Sequence, residues 1–529
     1  MSFYKSIVTV GGLTLGSRLL GFARDVLTAH FMGAGIVADA FFVALKLPNL
    51  FRRVTAEGAF SVSFVPLFSK ELAGEGREEA KRFAEETQAV MLTVLVPFTV
   101  LAIAAMPWVI YVIAPGFVAT PERYDLALEM ARITFPYILF MSLTALLGGV
   151  MNSFDRFGPF AAAPMLFNAA LMVALVCFSG IAETPGHAMA WGVAAAGILQ
   201  FLWLLYSCRK LGMALKLQKP KITPRIRHLF KNMLPGVFGA GIAQVNLFID
   251  LVLASLLPVG SISFLYYADR LYQLPLSVIG IAIGTALLPM LSRALKNNEG
   301  VEADRLFRLG IETGLALSLP ATAAFVVIAE PMMRVLFERG AFTAADSHAS
   351  ALALMGYTAG LPAFVLSKVL STAFYAREDT TTPVKFAIIC AVFNTLAALC
   401  LIVPFKHVGI AFATGLAAWV NVGLLARGLH SRKFAHIGKD SVKKAAIILV
   451  STLIMSAILW LTTEPVMEAV MGKGQIWRFL GLGFVIALGG VTYGICLYAT
   501  GVLELRHLKN LFPKRKKQDT IGDVRPFGQ

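Results

Sequence analysis

Charged side chains interrupt the most apolar parts of this chain. GSRLLGFARD from Gly16 and ADAFFVALKLPNLFRRVTAEGAFSVSFVP from Ala38 contain Arg18, Arg24, Asp25, Asp39, Lys46, Arg52, Arg53 and Glu57. One such charge at the centre of a membrane-spanning helix costs about 2.5–3.5 kcal/mol, so charges at this density must line protein or water. The chemistry they offer is binding rather than bond-making. Bases outnumber acids, and an aqueous cavity with that bias favours an anion. Arginine's planar fork suits phosphate oxygens taken two at a time, while lysine acts as a point charge. No GxxxxGK[ST] loop, HExxH or GxSxG occurs and the eight histidines are scattered, so no enzyme, cofactor or metal site is expected.

Arg18 and Asp25 are seven apart and share a helical face, which allows an ion pair between them; Arg24 points elsewhere, lacks an obvious local partner and is the better candidate ligand. Arg53 is expected to reach back to the membrane interface and Arg52 to serve the cavity. Asp39, near the opposite end of its helix, would partner a cavity arginine or act as a proton-linked switch. Farther along, Gln244, Asn246, Asp250, Asp269, Arg270 and Lys368 lie at comparable depth, with Arg270 the strongest of them. Pro48 and Pro275 stand beside charges in matched positions. Proline frees backbone carbonyls that only protein or water can satisfy at membrane depth, so two bent, charged helices should face the centre.

The elements that must hold these groups follow from composition. Of the 529 residues 57% are hydrophobic and 15% charged, with a mean hydropathy of +0.73, which excludes a soluble globular protein. The expected fold is all-α: a polytopic membrane protein of fourteen spanning helices, at 7–31, 36–67, 87–114, 127–152, 160–180, 188–207, 233–257, 264–291, 309–329, 350–375, 384–403, 408–429, 444–463 and 478–500. The first is read as a retained helix, not a signal peptide. The net charge of +16 concentrates in a few loops and the C-terminal tail, the positive-inside pattern, and does not indicate nucleic acid. The connection from Cys208 to Lys231 carries eight bases and no acid, and the one from Ser431 to Lys444 five bases against Asp440, so both should be cytoplasmic, with both termini. The acidic KELAGEGREEAKRFAEE sits on that same side, against the trend. The five cysteines lack CxxC spacing and imply neither disulfides nor a metal.

Sliding the chain against itself by about 224 residues sets Lys46 on Arg270, Pro107 on Pro331, Gly116 on Gly340 and Pro159 on Pro383. With slips of one or two residues Pro136 meets Pro362 and Asn168 meets Asn394. Two six-helix copies insert with the same orientation, giving lobes related by an axis along the membrane normal with a site between them. The expected division is an N-lobe at 1–210, a basic connection at 211–232, a C-lobe at 233–430, two added helices at 431–505 and a basic tail at 506–529, Lys514 to Lys517 holding the last helix against anionic lipid.

The first-helix and second-helix motifs quoted above, the ADRLYQLP from Ala268 and the fourteen-helix layout resemble the MurJ (MviN) lipid II flippase family, within the multidrug, oligosaccharidyl-lipid and polysaccharide exporter superfamily. The resemblance implies export of undecaprenyl-diphosphate-linked disaccharide pentapeptide from the inner to the outer leaflet of the bacterial cytoplasmic membrane, for peptidoglycan synthesis. It implies Arg18, Arg24, Asp39, Arg52 and Arg270 as cavity residues, with Lys46, Asn49, Glu57, Ser263 and Asp269 as further members. It also implies that the last two helices form a groove for the polyprenyl tail. Partners would be the lipid precursor, membrane lipids and cell-wall synthesis machinery. The alternatives are an exporter of another polyprenyl-linked glycan or of cationic drugs, and a non-transporting scaffold of cell-wall synthesis.

Overall fold

The computed structural model describes residues 3–52, 60–432, 434 and 439–502; Arg53, Glu57 and the tail 506–529 lie outside the described residues. All regular structure among the described residues is helical. The first group comprises α1 (Phe3–Met32), α2 (Ile36–Phe51), α3 (Ser61–Gly74), α4 (Arg77–Ala104), α5 (Met106–Ile113), α6 (Pro121–Thr134), α7 (Tyr137–Ser153), α8 (Gly158–Phe178) and α9 (Pro185–Lys210). The second comprises α10 (Pro224–Ser255), α11 (Ser261–Lys296), α12 (Gly300–Phe337), α13 (Ala344–Thr358), α14 (Leu361–Tyr375) and α15 (Thr381–Ser431), followed by α16 (Lys439–Met471) and α17 (Gln475–Ala499). This is a polytopic all-α membrane protein. Nine helices or near-continuous pairs among the described residues are long and apolar enough to cross a membrane. Helices α1 and α11 are 30 and 36 residues long and carry Arg18, Arg24, Asp25, Asp269 and Arg270.

Proline accounts for most departures from the expected spans. The span 127–152 divides into α6 and α7 at Pro136, and 350–375 divides into α13 and α14 beside Pro362. These two prolines are mates in the repeat. Pro107 parts α4 from α5 at Ala105 within the span 87–114. The described part of 36–67 comprises α2 and the start of α3, which runs on to Gly74. Spans 384–403 and 408–429 form one element, α15, folded at Lys406 with φ 51°. Helices α8, α9 and α1 pack together, as do α2 and α6; α10 lies on α15, α11 on α12, α13 and α14, and the α16–α17 pair on α12. Helices α2 and α11 meet between the two groups.

The acidic stretch that runs against the charge trend has a partner. Arg225, in the first turn of α10, reaches Glu71 at 2.8 Å and Glu79 at 3.0 Å. Glu85 accepts from the Lys216 backbone N–H, and Glu86 from the Thr223 hydroxyl at 3.0 Å. The acids of α3–α4 thus clamp the basic connection, and their sign follows from that docking rather than from topology.

A second polar clamp lies in the α14–α15 turn. The Thr382 backbone N–H, the Thr382 hydroxyl and the Arg432 guanidinium hold the Asp379 carboxyl down at about 2. A carboxylate with a depressed folded pKa contributes stability above its unfolded value near 3.9, and loses it as the pH falls toward 2. Asp379→Asn should therefore lower the unfolding temperature at pH 6, with the deficit shrinking between pH 4 and pH 2. A deficit independent of pH would contradict this assignment.

Candidate functional site

Where α2 begins, Asp39 is fully buried. Its Oδ2 accepts from Arg123 Nη2 at 2.6 Å and from the Gly260 N–H at 2.7 Å; its Oδ1 accepts from the Ser263 N–H at 2.9 Å and the Ser263 hydroxyl at 2.6 Å. Gly260 and Ser263 are the N-cap and third residue of α11, so Asp39 caps that helix from another part of the chain and meets the positive end of its dipole. Arg123, 2% exposed, lies over the Phe117 ring at 3.9 Å and donates to Leu257 O. A carboxylate this deeply buried stays ionised only when such donors replace its water.

Asp39 and Ser263 are 224 residues apart. Phe42 and Tyr266, separated by the same interval, stack at 3.8 Å. Repeat mates that touch each other place the axis between α2 and α11. Two matched glycines complete the seal. A Cβ on Gly116 would overlap the backbone of Ser255 and Leu256, and one on Gly340 would overlap the His30 carbonyl and ring. The Ala341 N–H donates to His30 O at 2.8 Å. Gly340 has a φ of +58°, costly for other residues by about 1–2 kcal/mol. Gly340→Ala should lower the unfolding temperature and loosen this end, whereas Gly180→Ala, in an exposed turn where a Cβ meets nothing within 4 Å, should leave both unchanged.

Below the seal lies a cationic seam. Asp25 Oδ1 accepts from Arg24 Nη2 at 2.7 Å and from the Tyr266 hydroxyl at 2.9 Å, while Asp25 Oδ2 lies 3.2 Å from Arg270 Nε. Arg270 Nη2 donates to the Tyr266 oxygen at 2.9 Å. Two guanidiniums share one carboxylate, leaving a formal surplus of one positive charge. Arg24 is buried and Arg270 has 38% of its side chain exposed. Arg270 Nε is shielded from solvent and faces Asp25 without an aligned hydrogen bond, so the accessible part of this half-buried side chain is the rest of its fork.

Two expectations are corrected here. Asp25 pairs with Arg24 and Arg270 rather than Arg18, and Arg24 does have a local partner, the residue beside it. Arg18 is exposed and donates to the Ser277 hydroxyl across the seam. Arg52 Nε donates to Asn49 Oδ1 at 3.2 Å, and Asn49 donates to Leu45 O. Lys46 is exposed, and Asp269 accepts from Gln273. Asn394 donates to Asp250 Oδ1 at 3.1 Å. Glu57 lies outside the described residues. The sequence reading missed Arg123 and Tyr266. Arg123 has a signal in the sequence, since Pro121 marks a helix start that places Arg123 in the first turn. Tyr266 was findable as the repeat mate of Phe42. For a metal, Glu129, Glu183 and His187 bring ligand atoms within 4.8 Å of one another, but both carboxylates are exposed and Glu129 already pairs with His187 at 3.1 Å.

A polytopic helical protein with paired helix groups and a charged seam between them has the architecture of a membrane transporter. The fold matches an inward-facing multidrug resistance MATE family transporter of the MOP superfamily, with a TM-score of 0.65 at 13% identity over 80% of this chain and 98% of that one. The family model for Lipid II flippase MurJ matches residues 28–476. The chain is 38% identical over 533 residues to "Probable lipid II flippase MurJ" of Rhizobium tropici, covering 99% of each. It is 36% identical over 436 residues to "Lipid II flippase MurJ" of Burkholderia cenocepacia, covering 82% of this chain and 84% of the relative. A solved "Lipid II flippase MurJ, inward closed conformation" aligns with a TM-score of 0.77 at 25% identity, over 93% of this chain and 99% of that one. The chain belongs to the lipid II flippase MurJ family, a family of transporters rather than enzymes.

Proposed function

We propose that this protein carries a lipid-linked peptidoglycan precursor, undecaprenyl-diphosphate disaccharide pentapeptide, from the inner to the outer leaflet of the bacterial cytoplasmic membrane. The observation that carries the reading is the arginine pair on one carboxylate, directly beneath a closed end. Only the diphosphate and the sugar-peptide head are costly to move through hydrocarbon, so a polar cavity need shield only the head. Arg270, the partly exposed member of the pair, meets the diphosphate, and Arg24 supports it from beneath with Arg18, Arg52 and Lys46 farther along the path. Asp39 and Ser263 act as the clasp of the gate rather than as ligands.

The positive-inside loops orient the chain with both termini in the cytoplasm, which makes the clasped end the outer one. The moving bodies are taken as 1–210 and 233–430, joined by 211–232, with 431–505 guiding the lipid tail. Rocking of the two lobes opens the cavity to one side and then the other. A potential negative inside favours an anion leaving, by about 2.3 kcal/mol per charge per 100 mV, and draws the emptied, net-positive cavity back. Cell-wall enzymes that use the exported precursor are natural neighbours.

The test is a cell in which this chain is the only source of the activity. Lipid-linked precursor should be exposed on the outer leaflet. Its confinement to the inner leaflet, with the protein at normal abundance, would overturn the assignment.

A further inference from the structure

A second cationic site stands apart from the seam, where the turn after α12 meets the start of α17. Arg339 Nη2 donates to Val335 O at 2.9 Å and Leu336 O at 2.7 Å, and Arg478 Nε donates to Met471 O at 3.0 Å. Gln475 Nε2 also donates to Val335 O, at 2.8 Å, which fixes the start of α17 against the end of α12. Each arginine thereby spends part of its fork on the carbonyls ending a helix, an ordinary structural use. The Arg339 guanidinium also lies 5.9 Å from the centre of the Phe479 ring, but neither charge is neutralised. Among the described residues neither arginine has a carboxylate partner, and Arg339 Nε is shielded from solvent without an acceptor. Nearby Arg334, by contrast, is matched by Glu330 at 2.7 Å and Glu338 at 3.8 Å. Burial and the Arg478 charge together push the Arg339 guanidinium below its usual value. Two like charges held together without a counter-ion call for an anion.

The surroundings choose which kind. Ile476, Trp477, Phe479 and Leu480 are exposed large apolar side chains on the same turn of α17, and Lys473 lies over the Trp477 ring at 5.6 Å. An apolar and aromatic rim around cations is the pattern of a membrane interface, where a headgroup docks and its chains lie along the helix. We infer that Arg339 and Arg478 form a site for the phosphate of an anionic lipid headgroup, joining the α12–α13 turn to α17. That same turn carries Gly340 and Ala341, which seal the clasped end against His30. A bound headgroup would therefore brace the closed gate, whatever cargo the central cavity takes.

The experiment uses the delipidated full chain, titrated with phosphatidylglycerol or with zwitterionic phosphatidylcholine, with bound lipids counted by native mass spectrometry. The wild type should retain phosphatidylglycerol about fivefold or more over Arg339→Gln and Arg478→Gln, and phosphatidylcholine should bind all three alike. Arg478→Lys keeps the charge and should retain an intermediate amount, which separates lost charge from lost fold. Insensitivity to millimolar inorganic phosphate assigns the site to lipid; displacement by it would overturn the lipid assignment in favour of free phosphate. Equal phosphatidylglycerol retention by wild type and both Gln variants, at matched unfolding temperatures, would overturn the site altogether.

Discussion

Asp39→Asn is expected to open the clasped end. Asparagine keeps the size of the side chain and one acceptor, but leaves Arg123 buried without a counter-charge and weakens the cap on α11. Removing one partner of a buried pair costs about 3–5 kcal/mol, enough to shift a two-state gate by about a hundredfold or more. Ala254 is fully packed at this end, so a cysteine placed there reports on opening. With the five native cysteines replaced by alanine, an impermeant maleimide added from outside should label Ala254→Cys slowly in the parent and at least about tenfold faster with Asp39→Asn. The double change Asp39→Asn, Arg123→Met removes the stranded charge and should return part of the closure. Unchanged labelling in the single variant, at equal folded abundance, would mean the clasp does not hold the gate.

Arg270→Ala is expected to reduce transport strongly, and Arg24→Ala nearly as much, by different routes. Loss of Arg270 removes the half-exposed fork and leaves Arg24 and Asp25 as a neutral pair, so the seam loses its surplus charge. A charge-assisted contact contributes about 1.5–3 kcal/mol, which corresponds to roughly a tenfold to hundredfold loss. Loss of Arg24 leaves Asp25 to draw Arg270 inward, away from the cargo. Arg270→Lys retains the charge without the bidentate geometry and should fall between wild type and Arg270→Ala. Equal loss in Arg270→Lys and Arg270→Ala would mean geometry alone matters at this position.

Much of this arrangement is legible in the chain itself. Apolar run lengths locate the crossings, and the repeat predicts that Pro136 and Pro362 act alike, as they do in dividing their spans. The repeat also held an unused clue. Residues on an axis touch their own mates, so an offset near 224 carried the Asp39–Ser263 and Phe42–Tyr266 contacts implicitly.

The partners of the charges were less legible, for physical reasons. Neighbouring residues on a helix do not face each other, so Arg24 and Asp25 were set apart, although an arginine side chain is long enough to fold back onto the next carboxylate. The third and fourth members of that cluster, Tyr266 and Arg270, come from more than two hundred residues away, which no local spacing encodes. The acidic α3–α4 stretch likewise makes sense only once the connection before α10 is docked on it.

The most direct measurement of the central claim is the fraction of lipid-linked precursor exposed on the outer leaflet in cells relying on the wild-type chain, Arg24→Ala or Arg270→Ala. Exposure should collapse in both variants while total precursor and membrane protein abundance hold. Normal exposure in both would contradict that claim, leaving the arginine seam a structural feature and reopening another glycan cargo or a scaffold role.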